Sequence, residues 1–156
     1  LRDVRPEDKT QIAVSGSYRH FLVNANAALH LDYRYYHDDF GVSSHTLNLG
    51  WHQNLGRDWR VAPVLRYYSQ SAADFYTNID DFLKPLHEFQ SSDYRLSAYG
   101  AFSGGVNVFA DIGDWTAILT AERYVASEDY ALHDVQQPGA GLVSYVRVSL
   151  GLELNF

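Results

Sequence analysis

The chain has 156 residues, 12 Lys+Arg against 19 Asp+Glu for a net charge of -7, and neither cysteine nor methionine. That length suits one domain, and a hydrophobic share of 46 % excludes a disordered polymer. The acidic balance argues against a nucleic-acid partner, which selects for a basic footprint, and without cysteine there is no disulfide, thiolate metal site or cysteine nucleophile. No run of about 18 apolar residues exists, so no transmembrane helix is expected. With no initiator methionine and no signal peptide, the chain reads as a mature form or a fragment.

Period-two alternation, the mark of a strand with two unlike faces, runs through the sequence from near its start. Residues 1–10 are polar and read as the tail of an extracellular loop. From about Ile12 to Leu22, one side holds Ile12, Val14, Tyr18 and Leu22, and the other Ser15, Ser17 and Arg19. Next, Ala27, Leu29, Leu31, Tyr33 and Tyr35 oppose Ala28, His30, Asp32, Arg34 and Tyr36. Leu47, Leu49 and Trp51 oppose Thr46, Asn48, Gly50 and His52. Trp59, Val61, Pro63, Leu65 and Tyr67 oppose Arg60, Ala62, Val64, Arg66, Tyr68 and Gln70. Pro63 is awkward in a sheet interior and marks a bulge.

Residues 94–112 contain Ser103-Gly104-Gly105, which suits a hairpin turn. Yet Tyr94, Leu96, Ala98, Phe102, Val106, Val108, Ala110 and Ile112 hold one phase across it, which predicts a single long strand. Trp115, Ala117, Leu119 and Ala121 then oppose Thr116, Ile118, Thr120 and Glu122. In the last segment Leu142, Ser144, Val146, Val148, Leu150, Leu152, Leu154 and Phe156 oppose Val143, Tyr145, Arg147, Ser149, Gly151, Glu153 and Asn155. Such alternation over a whole segment far exceeds a usual strand of about 5–6 residues.

Connections alternate in length. The short ones contain Asn24-Ala25-Asn26, Leu55–Asp58 and Gly113-Asp114; the longer ones run Asp38–Ser44, Thr77–Ser92 and Ser127–Ala140. Short turns at one end and long loops at the other, with an oily face and a charged face, predict an all-β fold: an antiparallel transmembrane β-barrel of outer-membrane type. Charged side chains cost little in a watery lumen and much in a dry core, so the oily face is expected to meet lipid. The lumen-facing set is Asp32, Arg34, Arg66, Arg95, Glu122, Arg147 and Glu153, expected to line a pore or to pair across strands. Tyr33, Tyr35, Trp59, Tyr67, Phe75, Trp115 and Phe156 are expected to form the interfacial aromatic girdles. Seven strands are read, eight if 94–112 is split. Single-chain bacterial barrels hold an even number, so 1–156 is expected to be one barrel domain or the C-terminal portion of a larger one.

Three stretches resemble a known family: Leu31–Gly41 (LDYRYYHDDFG) followed by Ser44-His45-Thr46, Arg66–Tyr76 (RYYSQSAADFY), and Ser91–Gly100 (SSDYRLSAYG). They are similar to the C-terminal half of a proteobacterial outer-membrane barrel family catalogued only as a domain of unknown function. The resemblance implies an envelope redox or export setting, since its members are encoded near flavin-transferring and thioredoxin-like proteins, and it carries over no catalytic residue. The terminal strand, with Leu150, Leu152, Leu154 and Phe156, looks like the assembly signal read by the outer-membrane insertion machinery.

The expected function is a polar-lined, porin-like passage for passive transport or export; the alternative is a plugged structural or partner-binding barrel docking an envelope protein through its long loops. Outer-membrane lipid and lipopolysaccharide are the expected surroundings. No cofactor and no metal are expected: His37, Asp38, Asp39 and His45 offer ligand atoms but lack a metal-site spacing. No enzyme is expected either, because Ser69, Ser71, Ser91, Ser92, His37 and His45 lack a nucleophile elbow or triad spacing. Inward rings such as Tyr36 and Tyr68 suit stacking on a sugar or flavin, or filling space beside a lumen arginine.

Overall fold

The computed structural model describes residues 3–79, 83, 85, 88–139 and 141–154. Seven strands form one antiparallel meander, each hydrogen-bonded to the next in chain order. They are β1 (Gln11–Leu22), β2 (Ala27–Asp38), β3 (Ser43–Leu55), β4 (Trp59–Gln70), β5 (Tyr99–Ile112), β6 (Trp115–Ser127) and β7 (Ser144–Leu154). Among the described residues the remaining regular structure is three 3₁₀ turns, Val23–Ala25, Tyr94–Leu96 and Glu128–Tyr130. No helix there is long and apolar enough to cross a membrane.

Register holds the two faces apart across the whole sheet. One polar row runs Ser17–Asp32–Asn48–Arg66–Ser103–Tyr124–Tyr145, directly opposed strand by strand. The neighbouring row, on the other face, runs Gly16–Tyr33–Leu47–Tyr67–Phe102–Val125–Ser144. A slip of one residue at any pair would exchange these rows, and none occurs.

The faces differ in shelter, and in an unusual direction. Leu47, Leu49, Leu65 and Leu119 are exposed, while Asn48, Gly50, Val64 and Thr120 beside them are not. Hollows on the polar face span β4 to β7, so that face is the concave one there. A half-buried sheet in water normally shelters its leucines and exposes its asparagines. Here the large apolar side chains stand uncovered, with Leu150 76 % and Val148 66 % exposed. Within the sheet, the buried apolar side chains are alanines: Ala27, Ala62, Ala101 and Ala110. The one apolar cluster with large members, Val42, Ala73 and Tyr76 packed by Tyr36, Phe40, Phe75 and Leu96, lies among the loops.

Short turns join β1–β2, β3–β4 and β5–β6 at one end. They are built on residues that adopt positive φ, Asn26, Gly56 and Gly113. At the other end β4–β5 and β6–β7 are joined by long segments, 71–98 and 128–143. The connection expected to be long at Asp38–Ser44 is instead the four-residue turn 39–42. Alternation continues to Asp38, whose carboxylate then accepts the N–H groups of Phe40 and Val42 and closes the chain tightly.

Ser103-Gly104-Gly105 lies inside β5 as expected, but β5 starts at Tyr99, not at 94. Asp93 accepts the Arg95 N–H and starts a 3₁₀ turn there, so a local side-chain bond overrides the alternating pattern. Pro63 makes no bulge. The β3–β4 ladder lapses beside Pro63 and Ala62 and resumes at Val61 in the same register; a proline without an N–H removes ladder bonds without adding a residue.

The outer edges of β1 and β7 are unpaired, and the sheet is open. Seven antiparallel strands leave β1 and β7 pointing the same way, so joining them directly would make a parallel ladder.

Candidate functional site: the polar face and its loop cap

Every Asp, Glu, Lys and Arg of the seven strands lies on the polar face except Arg123. Of the expected lumen residues, Asp32, Arg34, Arg66, Glu122, Arg147 and Glu153 are there. Asp32 accepts Ser17 Oγ at 2.6 Å and Arg19 Nη2 at 2.8 and 3.0 Å. Glu122 stands directly opposite Arg147, with Oε2 2.8 Å from Nη2. Arg60 lies 4.2 Å from the centroid of the Phe109 ring. Arg34 and Arg66 have no carboxylate within ion-pair distance among the described residues.

Charge is also divided between the strands. On β1 to β4 the polar face carries Arg19, Arg34, Arg60 and Arg66 against Asp32 and Asp38; on β5 to β7 it carries Asp111, Glu122 and Glu153 against Arg147. The His30 and His52 rings meet at 4.1 Å on the cationic half. The polar face of β1 to β4 is therefore net basic and that of β5 to β7 net acidic.

Arg95 departs from expectation. It sits in the 3₁₀ turn of segment 71–98, outside the sheet, with its guanidinium 2.6 Å from Asp93 Oδ2. Arg5 reaches the same oxygen at 3.0 Å. The Arg95 guanidinium beside it, and Arg5 with it, hold the Asp93 carboxyl well below the usual carboxylate range.

The expected aromatic girdles divide as follows. Trp59 and Trp115 stand on the apolar face at the short-turn end; Tyr33, Tyr35 and Tyr67 stand on it toward the long loops. Phe75 does not belong to that face. It packs in the loop cluster, 5.2 Å from the Phe40 ring, because β4 ends at Gln70 and the alternating phase ends with it. Phe156 lies outside the described residues, whereas Leu150, Leu152 and Leu154 all point to the apolar face of β7.

Described residues of the long segments meet residues 3–10 and the end of the sheet, with 130–133 lying against the apolar face at that end. Val4 and Gln90 exchange backbone hydrogen bonds of 2.9 and 3.0 Å, and Lys9 Nζ lies 2.7 Å from Asp38 Oδ2. Gln70 Nε2 donates to the carbonyls of Arg95 and Ser97 at 2.9 and 2.7 Å. Tyr67 donates to the carbonyl of Tyr130 at 2.7 Å. Tyr130 passes so close to Gly100 that a side chain there would strike its backbone. These contacts form a cap tied to the top of β2, β4 and β5.

Among the described residues no three His, Asp or Glu side chains are grouped to hold a metal ion, and most of the side chains weighed as ligands or triad members have other partners. His37 meets Ser43 Oγ at 2.9 Å, Asp38 is held by Lys9 and Tyr36, and Asp39 accepts the Thr10 N–H. His45 Nδ1 lies 2.7 Å from the Tyr33 hydroxyl. Ser69 accepts the Leu132 N–H, Ser71 the Ser43 N–H, and Ser91 the Asp93 N–H. Sequence reading missed Arg123, which continues the apolar phase from Ala121, and the inward Tyr99 and Tyr124; Tyr145 it placed on the polar side without singling it out.

No curated protein and no solved structure matches the chain. The model of a family described as a protein of unknown function, DUF3570, matches residues 1–150. The chain belongs to that family.

Proposed function

We propose that the chain forms wall of a β-barrel in a bacterial outer membrane, with a charged, water-filled lumen that passes solutes and catalyses no reaction. The observation that carries this reading is the inverted shelter of the two faces. Every strand charge but Arg123 lies on the polar face, and the other face holds the exposed Ile12, Val14, Leu47, Leu49, Leu65, Leu119, Val148 and Leu150. Exposed side chains of this kind occur on β1, β3, β4, β6 and β7, and a contiguous apolar surface of that extent marks a partner or a membrane. Hydrocarbon is the solvent it suits. Backbone groups in hydrocarbon are satisfied only in helices and closed barrels.

The dimensions agree. Trp59 and Tyr67 are eight residues apart on β4, about 27 Å of strand, or about 20 Å of height at a tilt of about 40°. Antiparallel closure requires an odd number of further strands between β7 and β1. Lipid and lipopolysaccharide would then meet the apolar face, and the insertion machinery would read the Leu150–Leu152–Leu154 edge of β7.

A second reading has its own support. The loop contacts to Gln70 and Asp38, both on the polar face, sit where they could plug the lumen or offer a docking surface to an envelope protein. Conductance of the full-length protein in a planar bilayer separates the two. Ohmic, ion-selective steps are expected; silence from a demonstrably folded barrel overturns the pore and leaves the plugged barrel.

A further inference from the structure

We infer that the polar face carries a binding site for a small anionic carbohydrate, built from Arg66, Tyr99, Tyr124 and Tyr145. A hollow of about 280 Å³ opens there, lined by Arg66, Tyr68, Tyr99, Ser103, Glu122, Tyr124 and Tyr145. That is many times the about 10–15 Å³ that one water needs on the same measure, room enough for one sugar ring. Its shape follows from register. Arg66, Ser103, Tyr124 and Tyr145 form one directly opposed row, and the small Ser103 leaves a floor between the guanidinium and the rings.

Each part of the lining points to the same ligand. Tyr124 and Tyr145 stack on each other at 5.0 Å with planes 18° apart, which leaves the outer face of the exposed Tyr145 ring to the apolar face of a pyranose. Tyr68 and Tyr99 form a second, tilted pair at 5.7 Å. The Tyr68 hydroxyl is occupied by Gln70 at 2.7 Å. Among the described residues the hydroxyls of Tyr99, Tyr124 and Tyr145 have no hydrogen-bond partner, so three phenols remain to meet a ligand rich in hydroxyls.

Arg66 supplies the charge preference. Glu122, the carboxylate lining the same hollow, is already paired with Arg147 at 2.8 Å, which leaves Arg66 as the uncompensated cation. A guanidinium among aromatic rings favours a carboxylate it can grip with two parallel bonds. A sugar acid combines ring, hydroxyls and carboxylate. The site depends on the proposed pore only in that the polar face must be in water.

Calorimetric titration of the full-length protein in detergent micelles with glucuronate and with glucose tests the site. Glucuronate is expected to bind about tenfold more tightly, the effect of one charge-assisted contact. Arg66→Gln should erase that preference, while Arg34→Gln, on the same face outside the hollow, should keep it. Tyr124→Phe retains the ring and the fold and should weaken both sugars several-fold. Equal binding of the two sugars, no binding of glucuronate, or a preference that survives Arg66→Gln overturns the inference. A conducting barrel that ignores glucuronate sinks the site alone; a binding protein that is silent in a bilayer sinks the pore alone.

Discussion

The two faces of the sheet are made of the same strands and differ in what keeps them. On the polar face several charges are matched locally, Arg19 with Asp32, Arg147 with Glu122 and Arg60 with the Phe109 ring, while Arg34 and Arg66 have no carboxylate partner among the described residues. On the apolar face Tyr130 lies against Tyr67 and Phe102 and His133 against His45 near the long-loop end, while Leu47, Leu49, Leu65, Leu119, Val148 and Leu150 stand exposed. One face meets much of its charge from within, and the other leaves its large apolar side chains exposed, which is what the proposed lipid setting accounts for. The contrast teaches that a sheet's surroundings can be read from which face is sheltered, even where the sheet's closure is open.

The largest predicted effect comes from putting a charge on the incomplete face. Leu150 pairs with Leu119, midway along β6 between Trp115 and Arg123, and so lies near the middle of the apolar band. Leu150→Arg should cost about 2–4 kcal/mol of folding stability in lipid vesicles, read by denaturant titration. Arg147→Ala, three residues away on the other face, breaks a largely exposed pair whose Arg side chain is 62 % accessible; it should cost at most about 1 kcal/mol. Equal costs would break the assignment of the faces.

Arg123 sharpens the comparison because it is the exception. It stands on the apolar face between Gly104 and Val146, one step along that face from the Phe102–Val125 pair. An arginine at that height can lay its stem along apolar surface and lift its head to the interface. Arg123→Leu should therefore change stability in vesicles by no more than about 1 kcal/mol, in the stabilising direction. A loss of 2 kcal/mol or more would mean that the guanidinium has a partner in the assembled protein, and that the apolar face is not all lipid-facing there.

How much of this was legible follows from the same contrast. Side-chain period two is rigid, so wherever the chain is a strand with unlike faces the sequence alone places each residue. Asp32, Arg34, Arg66, Glu122, Arg147 and Glu153 were all legible in that way. The pattern ends where side chains bond to the backbone. Arg95 and Phe75 keep an apparent phase, but Asp93 captures the Arg95 N–H and Phe75 turns into the loop cluster. Ser-Asp at 92–93 is the turn signal that would have warned of the first. Closure was not legible, because alternation says which face a residue takes and nothing of how many strands share it. The tyrosine hollow was hidden for a different reason: Arg66, Ser103, Tyr124 and Tyr145 are neighbours only through register across four strands.

The smallest effect tests whether the cap is held independently of the sheet. Asp93 accepts from Arg95 and Arg5, and both interactions favour its charged form. Its folded value lies below the ordinary 3.8, so the tie is fully present above the ordinary carboxylate range and is lost as pH falls through the folded value. The Arg95 amide, 3.0 Å from Asp93 Oδ1, reports it directly: its NMR shift in micelles should titrate with a midpoint below that of an exposed aspartate. Asp93→Asn should abolish that titration and speed exchange of the Val4 and Gln90 amides, leaving amides in the middle of β5 and β6 unchanged. If β5 and β6 loosen as well, cap and sheet fold as one unit, and the plugged reading gains over the open pore.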